Sequence, residues 1–386
     1  MNQMIRPERA PLQSPLDAVT HPDPYGYYAQ LVEERPFYFE PACGLWIATS
    51  ATAARQVLLD PACRVRPLDE PVPKAIAGSG AGDLFGSLVR MRDGAAHGRL
   101  KQLIAEVLGG CDLQHVGDLA AAAARNIVSR QACAPLHALM YELPVHVIAM
   151  LCGLSDGPSR DAGRLIEPLV ESFAGRANGQ QLAESSHAAD RLRELFSATN
   201  GAGLVGAMAR CPARAGLGDA PIVANGVGFL SQTYEATAGL IGNTLLALSR
   251  HPEARAAGRG NLERVVREVL RHDTPVQNTR RYAARELPIL GIAVPQGAAI
   301  LVVLAAASRD PAANPRPHCF DTDRANPTVF GFSAGRHRCP GEALAVTIAT
   351  AAVSILLQAG FDPMTIAAQV PYRPSANIRI PLFAEI

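Results

Sequence analysis

Apolar and polar positions recur in this chain with two different periods, and the change from one to the other divides the sequence. Around Phe37–Phe39 and Leu45–Thr49 apolar side chains fall on every second position, which predicts two short strands, and the preceding stretch DPYGYYAQL predicts a helix. From Ala95 to about Met208, Leu, Ala and Arg recur at helical spacing, with no Gly/Ser linker, charge run or repeat to divide the region. Between these parts, residues 67–96 are rich in Pro, Gly and Asp and predict a long loop broken by a short helix over Leu84–Val89. Long loops in compact domains are frequently functional.

The most apolar long stretch is residues 221–250, with Pro221 in the first turn of a helix and His251-Pro252 at its stop. A helix of about 29 residues spans roughly 43 Å. Being apolar on most faces, it must run through the interior, so Gln232, Thr233, Tyr234, Glu235 and Thr237 need a buried reason. Either they serve a site or they simply bond neighbouring backbone. Another helix covers Asn261–His272, where Glu268 and Arg271 stand three apart on one face; on a surface helix such a pair contributes a few tenths of a kcal/mol. After it come an extended segment with Arg280 and Arg281, a strand signal in PILGIAVPQG and an apolar run into AAASRDP. Glycines and prolines then dominate up to Gly341, a helix follows from Glu342 to about Gln358, and weak strands close the chain. The sum is a mainly α single domain over residues 1–386 with small β-sheets at its ends.

Charge and composition narrow the function. With 36 Lys+Arg against 35 Asp+Glu in 386 residues and no basic block, the chain lacks the clustered cations that bind nucleic acid or a membrane surface. Its length suffices for a deep core and a buried cofactor. The N-terminus MNQMIRPERAPLQSPLD is polar and proline-broken, unlike a signal peptide. The longest clean apolar run, Ala298–Ala307, is far short of the roughly 20 residues that cross a bilayer. A cytoplasmic protein with no membrane anchor is the expectation. The cysteines at positions 43, 63, 111, 133, 152, 211, 319 and 339 form no CxxC pair and no disulfide framework. The histidines form no HExxH cluster, so a structural zinc site is not expected.

The chemistry lies in residues 330–345, FGFSAGRHRCPGEALA. Cys339 ends a glycine-containing polar loop just before a helix, with Pro340 suited to the first turn. A helix N-terminus together with Arg336, His337 and Arg338 favours the thiolate, so an anionic Cys339 is expected. A lone thiolate could be a nucleophile, a redox sensor or a metal ligand, against the plain alternative of an inert cysteine.

This stretch resembles the haem-binding loop of the cytochrome P450 family. Phe332, Ser333, Gly335, His337, Cys339 and Gly341 occupy every position of the family signature. The resemblance implies the cytochrome P450 fold, with a long central helix over a buried haem b whose axial ligand is the Cys339 thiolate. It implies that Phe332 packs beside the cysteine and that glycines such as Gly335 and Gly341 let the backbone approach the ring. Glu268 and Arg271 are similar to the family's ExxR pair, a structural element around the haem. His97 and Lys101, four apart in DGAAHGRLKQL, are similar to its HxxxR pair, with Lys in place of Arg; a Lys supplies the cation without the planar fork. With Arg281 and His337 they form an implied set of propionate contacts, with Arg99 and Arg280 as adjacent competitors. SRDP at 308–311 corresponds to the family's NRDP. The PxRF element reads Pro317, His318, Cys319, Phe320, so its arginine is missing.

The family's central helix carries a small-residue notch, an acid and a threonine that direct protons to iron-bound oxygen. Aligned on the acid, those positions here are Gln232, Thr233, Tyr234, Glu235, Ala236 and Thr237. The acid is retained and the key hydroxyl is not. One reading is a monooxygenase whose proton path is completed by water, substrate, or Thr237 or Thr233 after a local helix distortion, with Glu235 as proton carrier. A second is atypical haem-thiolate chemistry: peroxide-driven, dehydratase- or isomerase-like, or nitrene-type transfer, with Gln232 near a polar ligand. A third is a haem sensor. The first implies a small-molecule substrate of bacterial secondary metabolism and a monomer fed by a separate ferredoxin or flavodoxin with its reductase. Only 47 residues follow Cys339, so no fused reductase is expected, and Arg336 and Arg338 suggest the docking side. The family also places Leu84, Phe85, Phe229, Val276, Gln277 and Asn278 around a substrate pocket, Asn278 as its polar anchor.

Overall fold

The period-two segments pair as expected: β1 (Phe37–Glu40) and β2 (Leu45–Ala48) form an antiparallel hairpin in which Phe37 opposes Ala48. In the computed structural model, which describes residues 12–130, 136–173, 175, 177–199 and 201–384, three distant strands extend this hairpin into a sheet. They are β3 (Cys63–Arg64), β4 (Thr279–Ala283) and, beyond a separate hairpin of β5 (Leu287–Ile289) and β6 (Ile292–Val294), β7 (Ala299–Val302). The order is β1-β2-β7-β4-β3, with β2 and β7 parallel and the other pairs antiparallel. Opposite Ile300, the register puts Trp46 on one side and Arg281 on the other, so a buried arginine enters the sheet beside a core position. Cys133 and the first eleven residues of the proline-broken N-terminus lie outside the described residues.

Helices make up most of the rest. In the loop expected over residues 67–96, a helix spans Gly80–Ser87 and a 3-10 turn Val89–Met91. The periodic middle of the chain folds as helices Gly94–Gly109, Leu113–Arg130, Leu143–Leu151, Asp156–Phe173, Gly179–Ser197 and Gly203–Arg210. The central helix runs over Asp219–Arg250, 32 residues, two residues earlier in its start than the sequence pattern suggests. Asp219 in its first turn and Arg250 in its last oppose the ends of the helix dipole, and Pro252 follows its stop. Buried residues lie all around it, as an interior helix requires.

Asn225 fixes the central helix to the wall formed by residues 87–89. Its Nδ2 donates to Ser87 O (3.0 Å) and its Oδ1 accepts from Val89 N–H (2.9 Å). The helix Leu262–His272 is capped by the Asn261 side chain, and Glu342–Gln358 packs on Leu113–Arg130. The weak strands expected at the C-terminus are absent from the described residues. Only the isolated bridges Val276–Ile378 and Tyr372–Pro381 form there, because prolines at 371, 374 and 381 interrupt a ladder. Among the described residues, no helix is long and apolar enough to cross a membrane.

Candidate active site

The residues before Cys339 fold into a closed loop. Ser333 N–H donates to Phe330 O (2.7 Å), Cys339 N–H donates to Phe332 O (2.8 Å), and a 3-10 turn covers Gly335–His337. Two residues take left-handed backbone here, Gly335 at φ 65° and Ser333 at φ 62°, the second uncommon for a residue with a side chain. Gly331 is required by contact instead: a Cβ there would lie 2.2 Å from Thr274 Oγ1. At Gly341 a Cβ would stand 3.8 Å from Cys339 Sγ, an ordinary contact, so that site needs a small residue and not strictly glycine.

This loop, the central helix and β4 enclose a cavity of about 850 Å³, within the range of small-molecule and cofactor sites. Cys339, Phe332, Gly341, His97, Lys101, Arg281 and His337 border it, as do Gln232, Thr233, Glu235, Ala236 and Thr237. Phe85, Phe229, Val276 and Asn278 also line it, and Asn278 Nδ2 donates to Ala376 O (2.8 Å).

Three residues fall elsewhere. Leu84 is fully buried in the main core beside the cavity-facing Phe85, since neighbours on a helix point about 100° apart. Gln277 is fully buried and donates from Nε2 to Thr274 O (2.6 Å); alternation along the extended segment sends 276 and 278 to the cavity and 277 to the other side. Gly335 packs its backbone against the helix Ala51–Leu59, where a Cβ would meet Leu59 Cδ2 at 2.9 Å. Of the polar residues on the central helix, Tyr234 faces away from the cavity, its ring 5.1 Å from that of Tyr141.

The thiolate expected from sequence is the metal-bound form of Cys339. Burial pushes the Cys339 thiol above its usual range, and the Gly341 N–H and Lys101 offset this only in part. The neighbouring cations are directed elsewhere: Arg338 pairs with Glu342 (2.9 Å), and His337 Nε2 meets Asp93 Oδ1 (3.1 Å). The surface that Cys339 retains borders the cavity, where a bound metal would deprotonate it outright.

Beside the Cys339 loop, the cavity wall carries a set of donors with little countercharge. The His97 and His337 rings lie 4.2 Å apart, and His97 Nε2 is buried with no partner. Burial, reinforced by His337 and Lys101, pulls the His97 pKa down to about 4, so the ring is neutral at pH 7. Lys101 Nζ donates to Arg338 O, and Arg281 donates to Thr279 Oγ1 (3.0 Å) and Arg280 O (2.8 Å) while its Nε has no partner. Burial also lowers Arg281, to about 10. Asp93 offsets part of this charge. Its own burial acts to raise its pKa, but hydrogen bonds from His337 and Val65 N–H outweigh that and hold it below the usual range. Orphaned donors and buried cations around an apolar cavity, with a thiol at its wall, fit an anionic, iron-bearing planar group such as haem. Arg99 is exposed and does not border the cavity.

Behind the loop, Arg271 and Glu268 are almost fully buried and make three hydrogen bonds, of 3.1, 3.0 and 2.6 Å. Arg271 also donates to Pro317 O (2.7 Å) and Cys319 O (3.0 Å), so the PxRF-like segment is held through its backbone. The cation missing at position 319 comes from Arg324, whose Nε stands 3.8 Å from Glu268 Oε1. Sequence reasoning also missed Arg373, which pairs with Glu235 (3.2 Å) and approaches Glu171 (3.8 Å), and Asp93, because neither lies near its partner in the chain.

Known proteins agree with this arrangement. The cytochrome P450 family profile matches residues 259–362. The cytochrome P450 monooxygenase PikC of Streptomyces venezuelae is 30% identical over 360 residues, 87% of this chain and 83% of that protein. The biotin biosynthesis cytochrome P450 of Bacillus subtilis is 37% identical over 128 residues, 32% of each. Among solved structures, CalO2 superposes with a TM-score of 0.82 at 23% identity over 96% of this chain and 97% of that one. P450BioI, in complex with a hexadecenoic acid ligated acyl carrier protein, gives 0.81 at 22% over 94% and 97%. With the cysteine loop closed against a cavity that the central helix crosses, and a relative matched along most of both chains, this protein belongs to the cytochrome P450 family and binds haem through the Cys339 thiolate.

Proposed function

We propose that the protein is a haem-thiolate monooxygenase that oxidises a small molecule. One observation carries the reading: Glu235 borders, from the central helix, the same cavity that Cys339 borders from its loop, and pairs with Arg373 at 3.2 Å. Bound haem supplies the redox chemistry of oxygen activation. Cys339 holds its iron, and His97, Lys101, Arg281 and His337 receive its propionates. Arg373 positions the Glu235 carboxylate at the cavity wall, and Glu235 is the proton carrier of this reading. Thr233 and Thr237 stand four apart on the helix face that also carries Ala236, and both border the cavity. In this reading one of these hydroxyls, with water or substrate, takes the place of the one absent at 236. Electrons come from a separate ferredoxin or flavodoxin docking near Arg336 and Arg338. The name of PikC, a cytochrome P450 monooxygenase, supports the monooxygenase reading, and a substrate from bacterial secondary metabolism is part of the proposal.

The unbroken helix and the polar Gln232 in the cavity favour a second reading, in which the same site runs chemistry without oxygen activation, driven by peroxide or by a preactivated substrate. Gln232 donates from Nε2 to Gly228 O (2.9 Å), which leaves its carbonyl oxygen available to a ligand. Turnover with oxygen and a surrogate ferredoxin system, measured against turnover with peroxide and with neither, separates the two. A monooxygenase turns over with oxygen and reductant, and Ala236→Thr lowers its waste of reductant, whereas turnover with peroxide and none with oxygen and reductant supports the second reading. Turnover with neither sinks the first reading. A ferrous carbon monoxide complex without the thiolate-type Soret shift sinks both.

A further inference from the structure

The cavity holds a cation for which the haem-binding set has no use. Arg90 lies in the 3-10 turn Val89–Met91 and borders the cavity; its Nε is buried and has no hydrogen-bond partner. Among the described residues, no carboxylate lies within ion-pair distance of it. Other cations at the cavity wall are accounted for. Arg66 is bonded to Glu70 (3.2 Å), Arg373 to Glu235 and Lys101 to Arg338 O; Arg281, whose Nε is likewise unpartnered, belongs to the propionate set beside Asp93, and Arg280 is exposed. Arg90 sits on the central-helix side, since the neighbouring Val89 N–H is fixed by Asn225 of that helix. Its electrostatic neighbour is Glu235, whereas His97, His337 and Arg281 are coupled to Asp93 and to one another. Burial pulls Arg90 down to about 10, which still leaves it charged at neutral pH. A buried Nε–H without a partner is costly, and an anion that supplies two parallel acceptors to the half-buried guanidinium relieves that cost.

We propose that Arg90 is a specificity-determining residue that binds the carboxylate of an acidic substrate whose apolar body lies along Phe85, Phe229 and Val276. The proposal rests on the reading of the cavity as a substrate-oxidising haem site. A carboxylate is favoured over a neutral polar group because the guanidinium fork matches it in bidentate geometry and charge. Phe85, packed edge-on to Phe173 with ring centroids 5.2 Å apart, provides a rigid apolar wall for the rest of the molecule.

The test is a titration of the haem-loaded protein with dodecanoate, methyl dodecanoate and dodecanol, followed by the Soret shift and in parallel by calorimetry. Wild type should bind dodecanoate roughly tenfold to a hundredfold more tightly than its methyl ester. Arg90→Gln should lose that ratio with ester binding unchanged, and Arg90→Lys should keep part of it. A ratio near one in wild type for every acid from octanoate to hexadecanoate overturns the proposal, as does a ratio that survives in Arg90→Gln. Loss of haem from Arg90→Gln and Arg90→Lys also overturns it, since Arg90 then serves a propionate. The carbon monoxide spectrum reports the haem reading independently: a thiolate-type band with no acid preference condemns the acid site alone. A calorimetric acid preference without that band condemns the haem reading alone.

Discussion

Among the described residues, replacing Glu268 with Ala removes the only hydrogen-bond partner of Arg271 Nε and one of two partners of Arg271 Nη2, while leaving the guanidinium fully buried. It also removes the acceptor of the Asp321 N–H (2.9 Å) and the anion nearest Arg324. Breaking a buried pair in this way costs about 3–5 kcal/mol, because an uncompensated charge remains. Against a total stability of about 5–15 kcal/mol, that is a large share. Urea unfolding followed by far-UV circular dichroism should show a lower midpoint at unchanged slope, and the variant should retain less haem, since segment 317–321 is tied through this pair. The control is Glu268→Leu combined with Arg271→Met, which removes both charges and should recover part of the loss. If Glu268→Ala costs less than about 1 kcal/mol, or the double variant is as unstable as the two single costs summed, uncompensated charge is not the cause and the reasoning fails.

Two further outcomes follow from the same structure. In the haem-free protein, the His97 pKa of about 4 lies below its unfolded value of about 6.5, so the unfolded chain binds the extra proton first as pH falls. The stability contributed by the neutral ring is therefore present above about pH 6.5 and lost on acidification toward pH 4, by about 3 kcal/mol at most. Unfolding curves across that window should flatten in His97→Phe, and an unchanged slope would count against the assignment. Gly331→Ala should cost about 1–3 kcal/mol by overpacking against Thr274, whose Oγ1 would lie 2.2 Å from the new Cβ. Thr274→Ala in the same chain should recover most of this in thermal unfolding, and no recovery would place the strain elsewhere.

Local pattern carried a large part of the fold. The period-two strands at 37–48, the apolar run of 221–250 and the capped helix after Asn261 were legible because burial of one face, or of all faces, dictates which side chains recur. The cysteine loop was legible because its backbone turns need particular residues at fixed offsets from Cys339. Arg373, Arg324 and Asp93 were not, since each acts on a partner distant in the chain, and no spacing encodes such a pair. The inward assignments of Leu84 and Gln277 failed for a related reason: adjacent residues in a helix or an extended segment face different directions, and sequence names the segment more readily than the side. The other partners of the cations near Cys339, Glu342 for Arg338 and Asp93 for His337, were hidden as well, because sequence displays charges but not what they bond.

By itself, then, the sequence determined the element types, the haem-ligating cysteine and the family, all of which depend on short-range order and on residue chemistry. The tertiary structure decided which cations are already satisfied and which are not. That distinction turns on hydrogen-bond geometry and burial between segments such as 90, 235 and 373, which meet only once the loops have closed around the cavity.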